Sequence, residues 1–363
     1  MNTSTPSFAQ SVWLVTEREI GSKLRSKAFL ISTAILFVIA LAGVLWGGFS
    51  ASGDNRVPVA VTSQTAPVLS ELADAVKVTE VDSAEAARDL VRSGDVDAAI
   101  VPGGAEPFGY TVVADESAPG SLLQLLSVTP PVELLTTGGV EWVLRYFVSL
   151  GFGLIFFMAA LTFGSTIAQS VVEEKQTRVV ELLISAIPTR ALLAGKVIGN
   201  TVLAMGQIIG LAAIAIVGLT VTDQVDLLTG LGAPLVWFAV FFLFGFILLA
   251  SLFAAAAAMV SRQEDIGSTT TPLTFLVMAP YFLVVFFNDN PVVLTVMSYV
   301  PFSAPVGMPV RVFLGEAEWW EPLLALGILL ATCAAAIAVG AKIYENSLLR
   351  MGARVKLSEA LRA

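Results

Sequence analysis

The charged residues able to do chemistry in this chain gather in one stretch, 169–199, which reads QSVVEEKQTRVVELLISAIPTRALLAGKVIG. Three chemistries would each need particular residues there or along the chain. A phosphate-binding loop needs G-x-x-x-x-G-K-[ST], so that backbone amides and a lysine hold the phosphates. Gly195-Lys196 is followed by Val197, and the required earlier glycine is Arg190, so this chain is not expected to bind ATP itself. Ion-coupled carriers place costly ionisable groups inside their membrane spans, and none falls near the middle of an apolar run here. Histidine is absent, which removes the commonest general base and metal ligand, and there is no intramembrane aspartate pair. No metal site and no directly bound cofactor are expected.

Around this stretch the chain is a membrane protein by composition. Of 363 residues 56% are apolar and 13% charged, against about a quarter charged in soluble proteins. Several runs exceed the ~18–20 apolar residues of a membrane helix. The net charge of −9 comes mainly from the segment 50–141, which holds 14 acidic residues against Arg56, Lys77, Arg88 and Arg92. No basic patch suggests nucleic acid, and the single Cys333 allows no disulfide within the chain.

The expected fold is an all-α polytopic membrane protein with six transmembrane helices and a small extracytoplasmic α/β domain between the first and second spans. Residues 1–27 form a polar N-terminal segment, and 28–49 the first span. A cleaved signal peptide is the rival reading, but its apolar region is usually shorter, about 7–15 residues. The polar segment 50–141 reads as strands 57–62, 76–81, 96–101 and 109–114 with helices 66–75 and 83–92. Further spans are expected near 142–167, 197–219, 234–260, 268–287 and 322–341, within a five-helix region 142–341. The Pro-rich connection 288–321 is too apolar for a solvated loop and is expected to form short helices dipping back toward the membrane. A tail follows over 342–363. Lys and Arg counted by side give 14 against 6, placing both termini and the charged stretch in the cytoplasm and the α/β domain outside.

Read as one helix at 3.6 residues per turn, 167–183 puts Ala168, Val171, Val172, Val179, Leu182 and Leu183 on one side. Glu174, Thr177, Arg178 and Glu181 fall on the other. Glu174 and Arg178 form an i,i+4 pair in the favoured order, worth about 0.2–0.5 kcal/mol. On pattern alone this is either a solvated interfacial helix that orients the chain or a surface for a partner. Pro188 ends it. Asn200 and Gln207 are the notable polar residues of the third span, as interhelical hydrogen-bonders or as polar groups on a translocation path. The glycine pairs Gly43/Gly47, Gly195/Gly199 and Gly206/Gly210 have the spacing of close helix packing. Glu141 and Arg145, four apart, are expected to pair.

Glu173-Glu174-Lys175-Gln176-Thr177-Arg178, Glu181-Leu182-Leu183, Pro188 and Leu193-Ala194-Gly195-Lys196 together resemble the signature of type-2 ABC exporter permeases. The sodium-export branch is the more similar one. The likeness extends to Arg25-Ser26-Lys27-Ala28-Phe29, to Ser261-Arg262-Gln263-Glu264-Asp265, to Pro301-Phe302-Ser303-Ala304-Pro305, to Met308-Pro309-Val310-Arg311, and to Tyr344 and Leu348-Leu349-Arg350-Met351-Gly352-Ala353-Arg354. The resemblance implies a plasma-membrane permease that pairs with a second permease copy and with two ATP-binding subunits on separate chains, which would hold the ATP and Mg. It implies that a coupling helix, 167–187, meets the ATP-binding subunit through Glu173, Glu174, Lys175, Arg178, Glu181 and Lys196. Members of this family are assigned to sodium, antibiotics, peptides or lipids. The other readings of the chain are a membrane-anchored sensor that uses the α/β domain, and an ion-coupled secondary carrier.

Overall fold

The computed structural model describes residues 6–52, 56–72, 75–104, 109–115, 119–126, 142–350 and 355–362. Two compact units emerge, one of Met1–Gly48 with Gly138–Ala363 and one of Phe49–Thr137.

The chain opens with helix α1, Phe8–Leu24, where the sequence led us to expect only a polar segment. A capping box starts it: the Ser7 hydroxyl accepts from the Gln10 amide and the Gln10 side chain accepts from the Ser7 amide. Two orphan amides of the first turn are thereby satisfied. Helix α2, Lys27–Ser52, is apolar on every side and none of its membrane-length apolar window is buried within the protein.

The second unit follows the expected alternation closely. Strand β1 is Val57–Thr62, a 3-10 turn covers Ala66–Leu72, and strand β2 is Val76–Val81. Helix α3 spans Ala84–Ser93, β3 Ala98–Pro102, β4 Tyr110–Val113, and α4 Gly120–Leu126. The sheet order is β2-β1-β3-β4, parallel except for the β3–β4 pair. Side chains alternate across a strand, so both faces need cover. Val57, Val59 and Val61 pack with Leu69 and Leu122 on one face. Ala60 and Ala99 pack with Ala87 and Val91 of α3 on the other. The Ser83 hydroxyl caps α3 at one end, and Gly94, at φ 79°, ends it in the left-handed conformation that glycine adopts without a Cβ penalty.

The other unit continues with α5 (Trp142–Gln176), α6 (Val179–Ala186), α7 (Thr189–Val221) and α8 (Val225–Ala258). After a 3-10 turn come α9 (Ile266–Phe286), α10 (Pro291–Tyr299), α11 (Ala304–Phe313), α12 (Glu321–Leu348) and α13 (Leu357–Arg362). Among the described residues six helices, α2, α5, α7, α8, α9 and α12, are long and apolar enough to cross a membrane. Helix α8 is the centre, packed by α5, α7, α11 and α12. Phe152, Phe156 and Phe163 of α5 meet Phe238, Phe242 and Phe246 of α8 at ring distances of 4.8, 5.8 and 5.9 Å. Close packing of this kind matters because lipid tails, as apolar as the side chains, leave little hydrophobic drive between membrane helices.

The connection 288–321 does form two short helices, α10 and α11, and Ala304–Arg311 is buried among the long helices rather than solvated. Most spans outrun their expected bounds. Helix α5 continues through Glu173, Glu174 and Lys175 to Gln176, and α12 through Lys342 to Leu348. The single helix expected over 167–183 is therefore corrected to two. Arg178, at φ 57°, breaks the path between α5 and α6, and a helical wheel drawn through the break misplaces every residue after it. Pro188 does mark the next boundary, as the residue capping α7.

A candidate coupling site: a buried ion network beside an exposed helix break

The largest departure from the sequence reading lies where α1, α5 and α7 meet. Lys196, on α7, is fully buried. Its Nζ stands 2.9 Å from Glu19 Oε1, 3.0 Å from Glu174 Oε1 and 2.5 Å from the Ser170 hydroxyl. Arg18 also pairs with Glu174. Two carboxylates and two cations from three helices thus neutralise one another; Lys196, Glu19 and Glu174 are buried, and Arg18 reaches in from the exposed side of α1. Glu174 was expected on a solvent face, paired with Arg178; it is buried and paired with Arg18 and Lys196 instead. Its second oxygen, Oε2, and the buried Tyr344 hydroxyl of α12 have no hydrogen-bond partner among the described residues.

Small residues make this meeting possible. A Cβ on Gly195 would lie 2.4 Å from Val15 Cβ, and one on Gly199 would lie 2.9 Å from Glu19 Cβ. The Thr16 hydroxyl donates to the Gly195 carbonyl at 3.3 Å. The pair Gly195/Gly199 is therefore a helix-packing notch, and α1 fills it. At Gly206/Gly210 only Gly210 is approached closely, by Phe37 of α2; Gly43, Gly47 and Gly206 face open space. Gly195→Val is expected to force α1 off the notch, costing about 1–3 kcal/mol by overpacking. A lower melting temperature, with faster tryptic cleavage at Arg18, is the readout.

Lys175, likewise fully buried, does something different. Its Nζ donates to the Ala258 carbonyl at 2.7 Å and to the Ser347 carbonyl at 2.9 Å. These carbonyls lie at the C-terminal ends of α8 and α12, where a cation is favoured by the helix dipole; that of Ser347 also accepts from the Arg350 amide. One ammonium so ties three helices together.

The remaining sequence-named residues divide cleanly. Glu173, Arg178 and Glu181 are exposed, as are Gln176, Thr177 and Leu182 around the helix break. Asn200 is buried and its amide donates to the Lys196 carbonyl at 2.9 Å, within its own helix, not across helices. Gln207 is half-buried. Sequence reasoning missed Arg18, Glu19, Ser170 and Tyr344. For α1 a signal existed in Ser7-x-x-Gln10 and in the helical spacing of Ser11, Val15, Thr16 and Glu19, which form its inner face.

A second polar cluster closes the other ends of the spans. Arg311 of α11 lies 2.8 Å from Glu321 of α12, and donates to the Ser298 hydroxyl and the Glu316 carbonyl. Tyr299 donates to Glu321 at 2.8 Å; burial, with Glu321 beside it, raises the Tyr299 hydroxyl above its ordinary pKa, so it stays a donor. Arg145 was expected to pair with Glu141, which lies outside the described residues. It pairs with Glu316 at 2.8 Å and donates to the Asn288 carbonyl at 3.0 Å.

Six membrane-length helices among the described residues point to a multi-pass membrane protein. The family described as ABC-2 family transporter protein matches residues 27–342, and the chain belongs to it. It is 29% identical to the uncharacterized protein YhaP of Bacillus subtilis over 210 residues, 54% of this chain and 50% of that protein. It is 23% identical to the uncharacterized protein MJ1024 of Methanocaldococcus jannaschii over 211 residues, 58% of this chain and 51% of that one. The chain thus spans about half the length of the curated relatives it matches. No solved structure matches it.

Proposed function

We propose that this chain is the permease subunit of an ATP-driven exporter, energised by two ATP-binding subunits on separate chains that hold the ATP and Mg, and paired with a second permease copy. The observation that carries the reading is the exposed break at Gln176–Leu182, set directly against a buried ion network. Glu173, Arg178 and Glu181 offer charges to a partner. Glu174, Lys175 and Lys196, a turn or less away in space or chain, transmit instead of contact. Helix α5 is about 50 Å long at ~1.5 Å per residue and carries Arg145 at one end and Glu174 at the other. A push at the break would reach α7 through Lys196, α8 and α12 through Lys175, and the far end through α5. With the break on the cytoplasmic side the α/β unit lies outside, and outward transport is what the resemblance to type-2 ABC exporter permeases implies. Ala, Leu, Gly and Phe dominate the spans and suit an apolar cargo, while sodium is the alternative cargo raised by the branch resemblance.

Reversing charge at the break tests this. Arg178→Glu and Glu181→Lys are exposed, so folding should be unchanged, while co-purification with the ATP-binding subunit should fall roughly tenfold, the scale of unfavourable charge at an interface rim. Full co-purification together with undiminished ATP-dependent transport by these variants would sink the docking surface. Transport that collapses with the ion gradient and not with ATP removal would replace the exporter by a secondary carrier. Vesicles loaded with sodium or with an apolar dye distinguish the two cargoes.

A further inference from the structure

Lys175 is not the only group that joins the C-terminal ends of α8 and α12. The chain after α12 comes back to the same place. The Val355 amide donates at 2.9 Å to the carbonyl of Met259, the residue that caps α8. A little further on, the Ala360 carbonyl accepts from the Asn346 side-chain amide of α12 at 2.7 Å. The Val355 and Ala360 side chains are buried in one cluster with Ala255 of α8, its cap Met259 and Ile343 of α12. Lys356, Leu357, Ser358 and Glu359 between them are exposed, so Val355 and Ala360 alone of these enter the seam. Deeper in the bundle a Cβ on Gly340 would lie 3.2 Å from the Ser251 carbonyl oxygen, so α8 and α12 already pack closely there. The returning segment extends that seam past the point where both helices end. It also brings a donor to a carbonyl that has no acceptor role left inside its own helix.

We propose that Val355–Arg362 is a clasp that acts in parallel with Lys175 and holds the ends of α8 and α12 as one body with α5. Lys175 is a single ammonium shared by two carbonyls, one on each helix. If the ends part, it keeps one acceptor and loses the other. The clasp removes that choice. It bonds to each helix separately, through Val355 and through Ala360, and its two buried side chains fill the space between. A separation of about 1 Å breaks these bonds, because hydrogen bonds fail beyond roughly 3.5 Å. Displacement of α5 therefore carries α8 and α12 together. That the displacement starts at the Arg178 break rests on the exporter reading; the clasp itself does not.

The test uses the full chain in nanodiscs. Ala360→Glu puts a charge where the wild-type side chain is fully buried and should expel the segment, while Ala360→Gly should leave it seated. In Ala360→Glu, hydrogen exchange should rise roughly tenfold over 355–362, as hydrogen bonds of ordinary net strength are lost. It should rise also in the last turn of α12. In vesicles with the ATP-binding subunit, ATP hydrolysis should persist while transport of the apolar dye per ATP falls about fivefold, the low end of ordinary coupling between sites. A second variant, Met259→Cys with Val355→Cys in a Cys333→Ala background, is joined by a short thiol cross-linker. The joined complex should transport at the unjoined rate, because the clasp stays closed. Unchanged exchange at the end of α12 in Ala360→Glu overturns the proposal. So does transport that stops on joining and returns on reduction. If the wild-type complex moves no dye with ATP, the exporter reading or its cargo fails, and exchange still decides the clasp.

Discussion

Lys196→Met is expected to be the most damaging single substitution in this chain. Lys196 Nζ is the common partner of Glu19 and Glu174, and all three side chains are buried. Removing the cation leaves Glu19 without an ionic partner and Glu174 with Arg18 alone. Breaking a buried pair from one side costs about 3–5 kcal/mol, because the charge left behind has lost its solvation and its partner. A loss of that size is a large part of a folded domain's whole stability. We expect little monodisperse protein by fluorescence-detected size exclusion, and a sharply lowered melting temperature for what survives. The control separates charge from packing. Lys196→Met combined with Glu19→Gln and Glu174→Gln removes the stranded charges and should recover most of the loss, since an uncharged replacement of a buried ionic group is often nearly neutral. If the triple variant were as unstable as the single one, the network would be stabilising by shape and not by charge. The same geometry explains why Gly195-Lys196, which has the look of a phosphate motif, cannot serve as one: its ammonium is buried and already held by two carboxylates and a hydroxyl.

Arg311→Met should have the next largest effect, at the opposite end of the spans. The Arg311 guanidinium holds Glu321, the Ser298 hydroxyl and the Glu316 carbonyl at 2.8, 3.0 and 2.9 Å. Those contacts fasten the α10–α11 pair to the first turn of α12. Glu321 would keep Tyr299 and the Glu318 amide as donors, so the expected loss is at the lower end of the range for a broken buried pair, about 3 kcal/mol. Arg311→Lys should recover only part of it, because an ammonium cannot span the positions that the planar fork reaches. Limited proteolysis should show faster cutting within 288–321 in Arg311→Met. Unchanged melting and unchanged cutting would show that α10 and α11 are held by their packing on the neighbouring helices, α11 on α8 and α5 and α10 on α9, without the Arg311 contacts.

Both clusters show where sequence reasoning stops. The α/β unit was legible almost strand by strand, because alternation with period two and the turn residues between runs are local signals. The six spans were legible from length and apolarity, and the helical nature of 288–321 from its excess of apolar residues. The charged residues were legible in kind but not in partner. Glu174 was assigned to Arg178 because they are four apart; the structure pairs Glu174 with residues 156 and 22 positions away, and it gives Arg145 a partner 171 positions away that no local spacing announces. Helix α1 went unseen because its inner face is Ser11, Val15, Thr16 and Glu19, too polar to read as a packing face until Lys196 and the Gly195/Gly199 notch stand opposite.

The 169–199 stretch sums up the division. By itself the sequence determined that this is a membrane protein of six spans with a separate α/β unit, that it lacks a phosphate loop of its own, and that its conspicuous charges cluster between two spans. These follow from hydropathy and from spacing, which neighbours along the chain settle without help. Only the tertiary structure decided which of those charges face outward and which are sealed in. Arg178 breaks the helix and leaves Glu173 and Glu181 exposed, while Glu174, Lys175 and Lys196 are buried. A buried charge must find a partner or a carbonyl to offset its lost hydration, and those partners came from α1, α8 and α12, elements remote in the chain.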